Sequence, residues 1–206
     1  MDIGIIGSGM IGGTLARRFA AAGHRVTIAN SRGPESLAGL VAEIGDQAHA
    51  ATTDGAAAAG PVVVVAIPMG RYRELPAHQL AGKVVVDANN YYPGRDGSIP
   101  ELDANTITSS ELLAASLDGA RVVKAFNTIY FEHLRDQGTP AGTPGRRALP
   151  IAGDDPQAKR TVASLIDDLG FDVVDVGALA DGRRQGPGTP VYNIALTRDE
   201  LLAVLD

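Results

Sequence analysis

Short apolar runs rich in Ile and Val alternate along the chain with stretches spaced like helices. The first run, Asp2-Ile3-Gly4-Ile5-Ile6, stops at Gly7. Between Met10 and Ala21, Leu15 and Phe19 stand four apart with Ile11 one turn earlier, which predicts a helix. Gly23 follows as its C-terminal cap. Arg25 to Ala29 reads as a second strand, and Pro34 to Ile44 as a helix with proline at its first position. Val62 to Ile67, Lys83 to Asp87, Arg121 to Phe126, Ala148 to Ala152 and Phe171 to Val176 repeat the strand pattern. A small helix fits 54–60, and a longer one runs from Pro156 to Leu169. Apolar runs without polar alternation suit strands covered on both faces. The pattern predicts an α/β fold: a doubly wound, Rossmann-type parallel sheet with the strand at Asp2 central in it. Residues 136–147 and 180–190 break the rhythm. Rich in Gly, Pro, Thr and charge, they read as loops, either plain connections or covers over a substrate.

Length and composition narrow the picture. At 206 residues the chain fits one domain over 1–206, its part from about 105 to 206 forming a substrate-side extension. A net charge of −6 argues against a nucleic-acid partner or an anionic membrane. With no cysteine, disulfides, iron–sulfur clusters and thiolate zinc sites are excluded. His24, His49, His78 and His133 show no ligand spacing, so no metal site is expected. No apolar run approaches the roughly 18 residues of a membrane span. The first strand begins at Asp2 and leaves no room for a signal peptide, so a cytoplasmic location is expected.

The chemistry starts at Gly7-Ser8-Gly9-Met10-Ile11-Gly12, a G-x-G-x-x-G sequence that follows a strand and opens a helix. Gly7 permits a tight turn, Gly9 lets the backbone approach a pyrophosphate, and Gly12 lets helix and strand pack closely. The helix N-terminus offers unpaired N–H groups and a positive dipole end to phosphates. A dinucleotide is the expected ligand. At the end of the second strand, where an NAD site carries Asp or Glu, stands Asn30, followed by Ser31 and Arg32. No carboxylate there repels a 2′-phosphate, and Arg32 presents a fork of charged donors, so NADP is favoured. Further strand ends supply Ile67 and Pro68, Asn89, and Ala125 to Thr128, as crevice wall or as turn residues.

These segments together resemble the NADP oxidoreductase family that depends on coenzyme F-420, a deazaflavin. They are also similar to the cytosolic domain of the six-transmembrane metalloreductases. The markers are GSGMIGG at 7–13, NSRGPESL at 30–37, VVVVAIP at 62–68, VVDANNYY at 85–92, VVKAFNTI at 122–129 and PIAGDD at 150–155. The resemblance implies that Ser8, Met10 and Ile11 meet the pyrophosphate and nicotinamide side, and that Ser31 and Arg32 hold the 2′-phosphate. It places Asn127 and its neighbours beside the nicotinamide. It implies hydride transfer between NADPH and a stacked deazaflavin or flavin, and a homodimer. The pattern Lys124-x-Phe126-Asn127 looks more like the metalloreductase branch.

Hydride transfer between stacked rings needs alignment and exclusion of water more than acid–base side chains. Substrate-side candidates are Phe126, Asn127, Thr128 and Tyr192, with the acceptor expected between the Asn127 segment and the loop from Gly186 to Tyr192. A reductase of a small carbonyl or imine is the second possibility, its proton donor one of Tyr91, Tyr92, Tyr130 and Tyr192. A non-catalytic NADP-binding sensor is the third. Thr108 to Glu111 reads as a capping box, and Lys124 as structural. Arg146-Arg147 and Arg183-Arg184 read as solvated loop charges.

Overall fold

The computed structural model describes residues 1–205 and shows one eight-stranded sheet. The strands are β1 (Asp2–Ile6), β2 (Arg25–Ala29), β3 (Ala48–Ala50), β4 (Val62–Val65), β5 (Val84–Asp87), β6 (Arg121–Lys124), β7 (Ala148–Gly153) and β8 (Asp172–Asp175). Their spatial order is β3-β2-β1-β4-β5-β6-β7-β8. All pairs from β3 to β6 are parallel. The expectation of a doubly wound α/β sheet with β1 in its interior is met. The chain builds outward from β1 to β3 and then crosses to β4, so the point where strand order reverses lies between β1 and β4. Ligands of open α/β sheets bind at the carboxyl ends of the strands flanking such a point.

The unbroken valines of β4 and β5 are explained by two cores. Val62, Val64, Val84 and Val86 face one core with Leu15 and Phe19 of helix α1 (Met10–Ala21) and with Val162 and Leu165 of the helix Pro156–Asp168. Val63, Val65 and Val85 face the other, with Ala56, Met69 and Leu113. Alternation disappears because neither face meets water. The predicted capping box forms: Thr108 Oγ1 accepts from Glu111 N, and Glu111 accepts from Thr108 N.

Three readings are corrected. The run at 148–152 does not continue the parallel array of β1 to β6: β7 pairs antiparallel with β6, only at Val123↔Gly153 and Lys124↔Ala152, and its parallel partner is β8. The stretch 180–190 is not simply a loop, since Leu179–Gln185 forms 3₁₀ turns with Leu179 and Gln185 buried. Arg146 and Arg147 are not solvated: they are 7% and 5% exposed. Arg146 binds the carboxylates of Asp167 and Asp172 and the carbonyls of Thr139 and Gly170; Arg147 binds Gln137 Oε1 and Ile194 O. Each long side chain thereby ties loop carbonyls that no strand reaches. The apolar C-terminal stretch packs on its own chain, with Val191 and Leu201 against Ala148, Ala152, Val174 and Val176.

Candidate functional site

The turn between β1 and α1 has the geometry its glycines require. Gly7 adopts φ +110°, and a Cβ there would stand 2.1 Å from Ala66 O. A Cβ at Gly12 would stand 1.9 Å from Gly7 O, so helix and turn touch backbone to backbone. Gly9 differs: a Cβ on it would meet nothing within 4 Å, because it faces open space. That space is the crevice, and the first-turn N–H groups of α1, with no acidic residue among them, open onto it.

Two cavities line the carboxyl ends of β1, β2, β4, β5 and β6, of about 490 and 340 Å³. They share Gly9, Ala66, Ile67 and Pro68. The larger, the outer lobe, is walled by Ser8, Asn30, Ser31 and Arg32 and by Arg71 and Glu74. Asn30 is held before any ligand arrives: its Oδ1 accepts from Arg32 N at 2.9 Å, and its Nδ2 donates to Ser8 Oγ at 3.1 Å and Ser36 Oγ at 2.9 Å. This Asx turn fixes the 31–33 backbone and leaves the exposed side chains of Ser31 and Arg32 at the mouth. Arg32 makes no ion pair among the described residues, whereas Arg71 is committed to Glu74 at 2.5 Å. Arg71 was not foreseen, since it sits in 3₁₀ turns with no motif.

The smaller, inner lobe is lined by Met10, Ile11, Asn89, Phe126, Asn127, Tyr192 and the proton-donor candidates Tyr92 and Tyr130, all expected, and by Asn90, Arg95 and Phe131. Behind it lies a buried polar network. Asp87 and Lys124, paired in register across β5 and β6, form an ion pair at 3.1 Å with side chains 0% and 4% exposed. Asp87 Oδ2 also accepts from Ser110 Oγ at 2.6 Å, and Oδ1 from Asn89 N at 3.0 Å. Lys124 Nζ donates to Asn89 O. Asn89 is thus gripped at both backbone atoms, and its Oδ1 accepts from Ile67 N at 2.8 Å. That bond fixes the amide orientation and leaves Asn89 Nδ2, buried and unpartnered, in the lobe wall. A buried donor without a partner is costly unless a ligand satisfies it.

Asn127 closes the network from the other side. Its Nδ2 donates to Gln185 O at 2.8 Å and Asn90 Oδ1 at 3.1 Å, and its Oδ1 accepts from Gln185 Nε2 at 3.1 Å. Its polar atoms are therefore already bonded within the protein. Phe126, fully buried, has φ +62°, a conformation costly for a bulky residue. The turn it makes carries the chain from β6 into the lobe while its ring packs edge-on against Phe19, centroids 6.2 Å apart. Ala125 and Thr128 are buried beside the lobe without lining it, and Ala125 N donates to Asp87 O.

Of the four candidate tyrosines, Tyr91 points away, its hydroxyl donating to Asp103 at 2.6 Å. Tyr92 and Tyr192 meet over the lobe, hydroxyls 2.5 Å apart, and Asn90 Nδ2 reaches Tyr192 Oη at 3.4 Å. Burial first, and the Tyr92 phenol second, push Tyr192 well above the usual phenol range. Arg95 lies 4.9 Å over the Tyr92 ring and pairs with Asp96. No Asp, Glu, His or Lys lines this lobe, and Arg95 is its one charged wall residue among those described.

The two-lobed crevice, the Gly9 gap, Asn89 Nδ2 and the uncommitted Arg32 fit a dinucleotide phosphate. The model of the NADP oxidoreductase, coenzyme F-420-dependent family matches residues 2–91. The chain is 34% identical over 183 residues to metalloreductase STEAP3 of Rattus norvegicus, covering 88% of this chain and 35% of that protein. It therefore spans about a third of the length of the curated relatives it matches. Among solved structures, a hypothetical protein of Sinorhizobium meliloti is 36% identical, with 97% of this chain and 96% of that chain covered and a TM-score of 0.83. A protein described as a candidate F-420-dependent NADP-reductase, from Arthrobacter sp. FB24, is 32% identical over 88% of this chain and 86% of that one, with a TM-score of 0.75. No helix among the described residues is long and apolar enough to cross a membrane. With glycine turn, crevice and relatives in agreement, the chain belongs to the coenzyme F-420-dependent NADP oxidoreductase family, an NADP(H)-binding oxidoreductase fold.

Proposed function

We propose that the protein transfers a hydride between NADPH, laid across both lobes, and a flat heteroaromatic acceptor, coenzyme F-420 or a flavin, stacked in the inner lobe. The observation that carries this is the wall of the inner lobe: Met10, Phe126, Tyr130 and Phe131, with no carboxylate, imidazole or amine. Such a wall orients rings and excludes water, which is what transfer between stacked rings asks of a protein. In this reading the N–H groups from Ser8 to Gly12 hold the pyrophosphate, and Ser31 and Arg32 hold the 2′-phosphate. Asn89 Nδ2 donates to the nicotinamide half, and Ile67 and Pro68 support it where the lobes join. The nicotinamide supplies the hydride; the protein binds, aligns and dries. The chain acts as a cytoplasmic homodimer, without nucleic-acid or membrane partners.

The Tyr92–Tyr192 pair favours a second reading, reduction of a small carbonyl or imine, because such a substrate needs a proton donor. Measuring NADPH oxidation in parallel with F-420, FMN, FAD, a cyclic imine, a small ketone and no acceptor separates the two. Turnover with a deazaflavin or flavin supports the first reading, and turnover with ketone or imine alone replaces it. Tight NADPH binding with no turnover leaves a sensor.

A further inference from the structure

We propose that Tyr192 and Tyr92 form a proton relay into the inner lobe, with Tyr192 the donor to the acceptor and Tyr92 its link to water. The inference rests on hydride transfer from NADPH, under either acceptor reading above, and supplies the proton that completes the reduction. A hydride leaves the dihydronicotinamide with two electrons, and NADPH becomes NADP⁺. The acceptor, a conjugated ring or a C=N or C=O bond, gains a C–H or N–H bond and becomes an anion, or a neutral amine where Tyr192 has protonated the C=N nitrogen first. The anion takes one proton to finish its reduction. Tyr192 Oη gives that proton, takes one from Tyr92 Oη, and Tyr92 takes one from water.

Elimination reaches the same residues. Among the described side chains lining the inner lobe, the only O–H groups belong to Tyr92, Tyr130 and Tyr192. Tyr130 is 44% exposed on the rim, its ring against Phe131. Tyr192 alone is held by two neighbours that the lobe itself supplies. A hydroxyl has one proton to donate and two acceptor sites. Asn90 Nδ2 donates to Tyr192 Oη at 3.4 Å, and Tyr92 stands 2.5 Å away. Either hydroxyl of the pair can donate; in the relay Tyr92 donates to Tyr192, and the Tyr192 proton turns to the lobe, where Asn193 also stands. Asn90 is itself held, its Oδ1 by Asn127 and its Nδ2 also by Asn127 O. Tyr92 is 36% exposed, so the pair leads from the lobe to solvent.

The charged groups facing the pair are few. Arg95 lies over the Tyr92 ring, and its carboxylate partner Asp96 is 2.8 Å from the guanidinium. Tyr192, raised by burial and by Tyr92, remains protonated through the neutral range; because burial opposes a phenolate there, the proton from Tyr92 arrives as its own leaves.

The test uses wild type, Tyr192→Phe and Tyr92→Phe with whichever acceptor of the panel above wild type reduces. Phenylalanine keeps each ring and removes only the hydroxyl. Tyr192→Phe should lower kcat about 100-fold, the low end of a positioned proton donor's contribution, with the NADPH Kd within about twofold. Tyr92→Phe should keep the single-turnover rate and slow steady-state turnover, because one proton is already loaded and only its replacement is impaired. Ultraviolet titration of the cofactor-free protein gives a readout apart from turnover: Tyr192→Phe should remove the last phenol to ionise. An unchanged kcat in Tyr192→Phe, a loss confined to KM or NADPH Kd, or an unchanged phenol titration overturns the relay and leaves a packing contact. If wild type reduces no acceptor, the hydride-transfer reading falls and the relay with it.

Discussion

The outer and inner lobes meet at Ile67 and Pro68 but are built on opposite plans. The outer lobe is local and loosely held. Its charged group Arg32 stands two residues from the Asn30 that shapes its turn, and its side chain is exposed. The inner lobe is assembled from distant segments and is bonded before any ligand arrives. Asp87 meets Lys124 across 37 positions, and Asn127 meets Gln185 across 58. An exposed uncommitted cation gives affinity and cofactor choice, at a strength that solvent and salt reduce. A buried, interlocked network gives geometry, and its value is felt when it is broken. The comparison implies that outer-lobe substitutions change binding and leave folding intact, whereas inner-lobe network substitutions change both.

The largest effect should follow Lys124→Met. Asp87 would be left 0% exposed with no cation, and removing one partner of a buried pair costs about 3–5 kcal/mol. The measurement is the urea midpoint, with m unchanged if the native fold persists. The double variant Asp87→Asn with Lys124→Met should recover much of the loss, because no charge is then stranded. A loss below about 1 kcal/mol, as for an exposed pair, would show that the inner lobe is no more rigid than the outer.

Arg32→Ala comes next and should leave the urea midpoint unmoved. A charge-assisted hydrogen bond contributes about 1.5–3 kcal/mol, and each 1.4 kcal/mol is a factor of ten. NADPH should bind about ten- to a hundredfold more weakly, and NADH no differently, since NADH carries no 2′-phosphate. Equal losses for both cofactors would mean that the phosphate lies elsewhere. Asn30→Asp should act less strongly and in the same direction. Like charges at about 4 Å repel by roughly 1 kcal/mol in a solvated setting, so NADPH affinity should fall about fivefold while NADH is spared. Direct titration of each cofactor by fluorescence checks both variants.

The same contrast decides how much the sequence could say. The glycine turn, Asn30 to Arg32 and the valine strands are contiguous, and each follows from a local rule: a cramped Cβ, an Asx turn, a buried strand. The inner lobe could be read only as strand ends. Asn89 and Phe126 were placed in it, but nothing near Phe126 announces a φ of +62°. Gln185 lay in a stretch that reads as a loop, and its buried amide is defined by Asn127 and by the carbonyls of Lys124 and Pro150. Arg146 and Arg147 read as solvated for the same reason. A charge in a Gly- and Pro-rich stretch looks solvated until tertiary structure brings Asp172 and orphan carbonyls to it. The antiparallel turn at β7 was equally invisible, because a fully buried strand has the same apolar pattern in either direction.

The smallest predicted effect divides the outer lobe itself. Arg71 lines it as Arg32 does, but its guanidinium meets both carboxylate oxygens of Glu74, through Nε at 2.9 and 3.1 Å and Nη2 at 2.5 Å. The pairing is exposed, so it contributes little to stability. It also cancels the charge that a phosphate would otherwise attract. What Arg71 can still offer is its flat face, against the adenine ring that NADH and NADPH share. Arg71→Ala should therefore weaken both cofactors equally, by no more than about fivefold, near 1 kcal/mol. Glu74→Gln makes the complementary test. With the carboxylate gone, Arg71 regains an uncompensated charge beside the 2′-phosphate, and NADPH should bind a few-fold more tightly while NADH does not change. If Arg71→Ala instead cost NADPH alone as much as Arg32→Ala does, the ion pair must open on binding, and the outer lobe would hold its phosphate between two arginines.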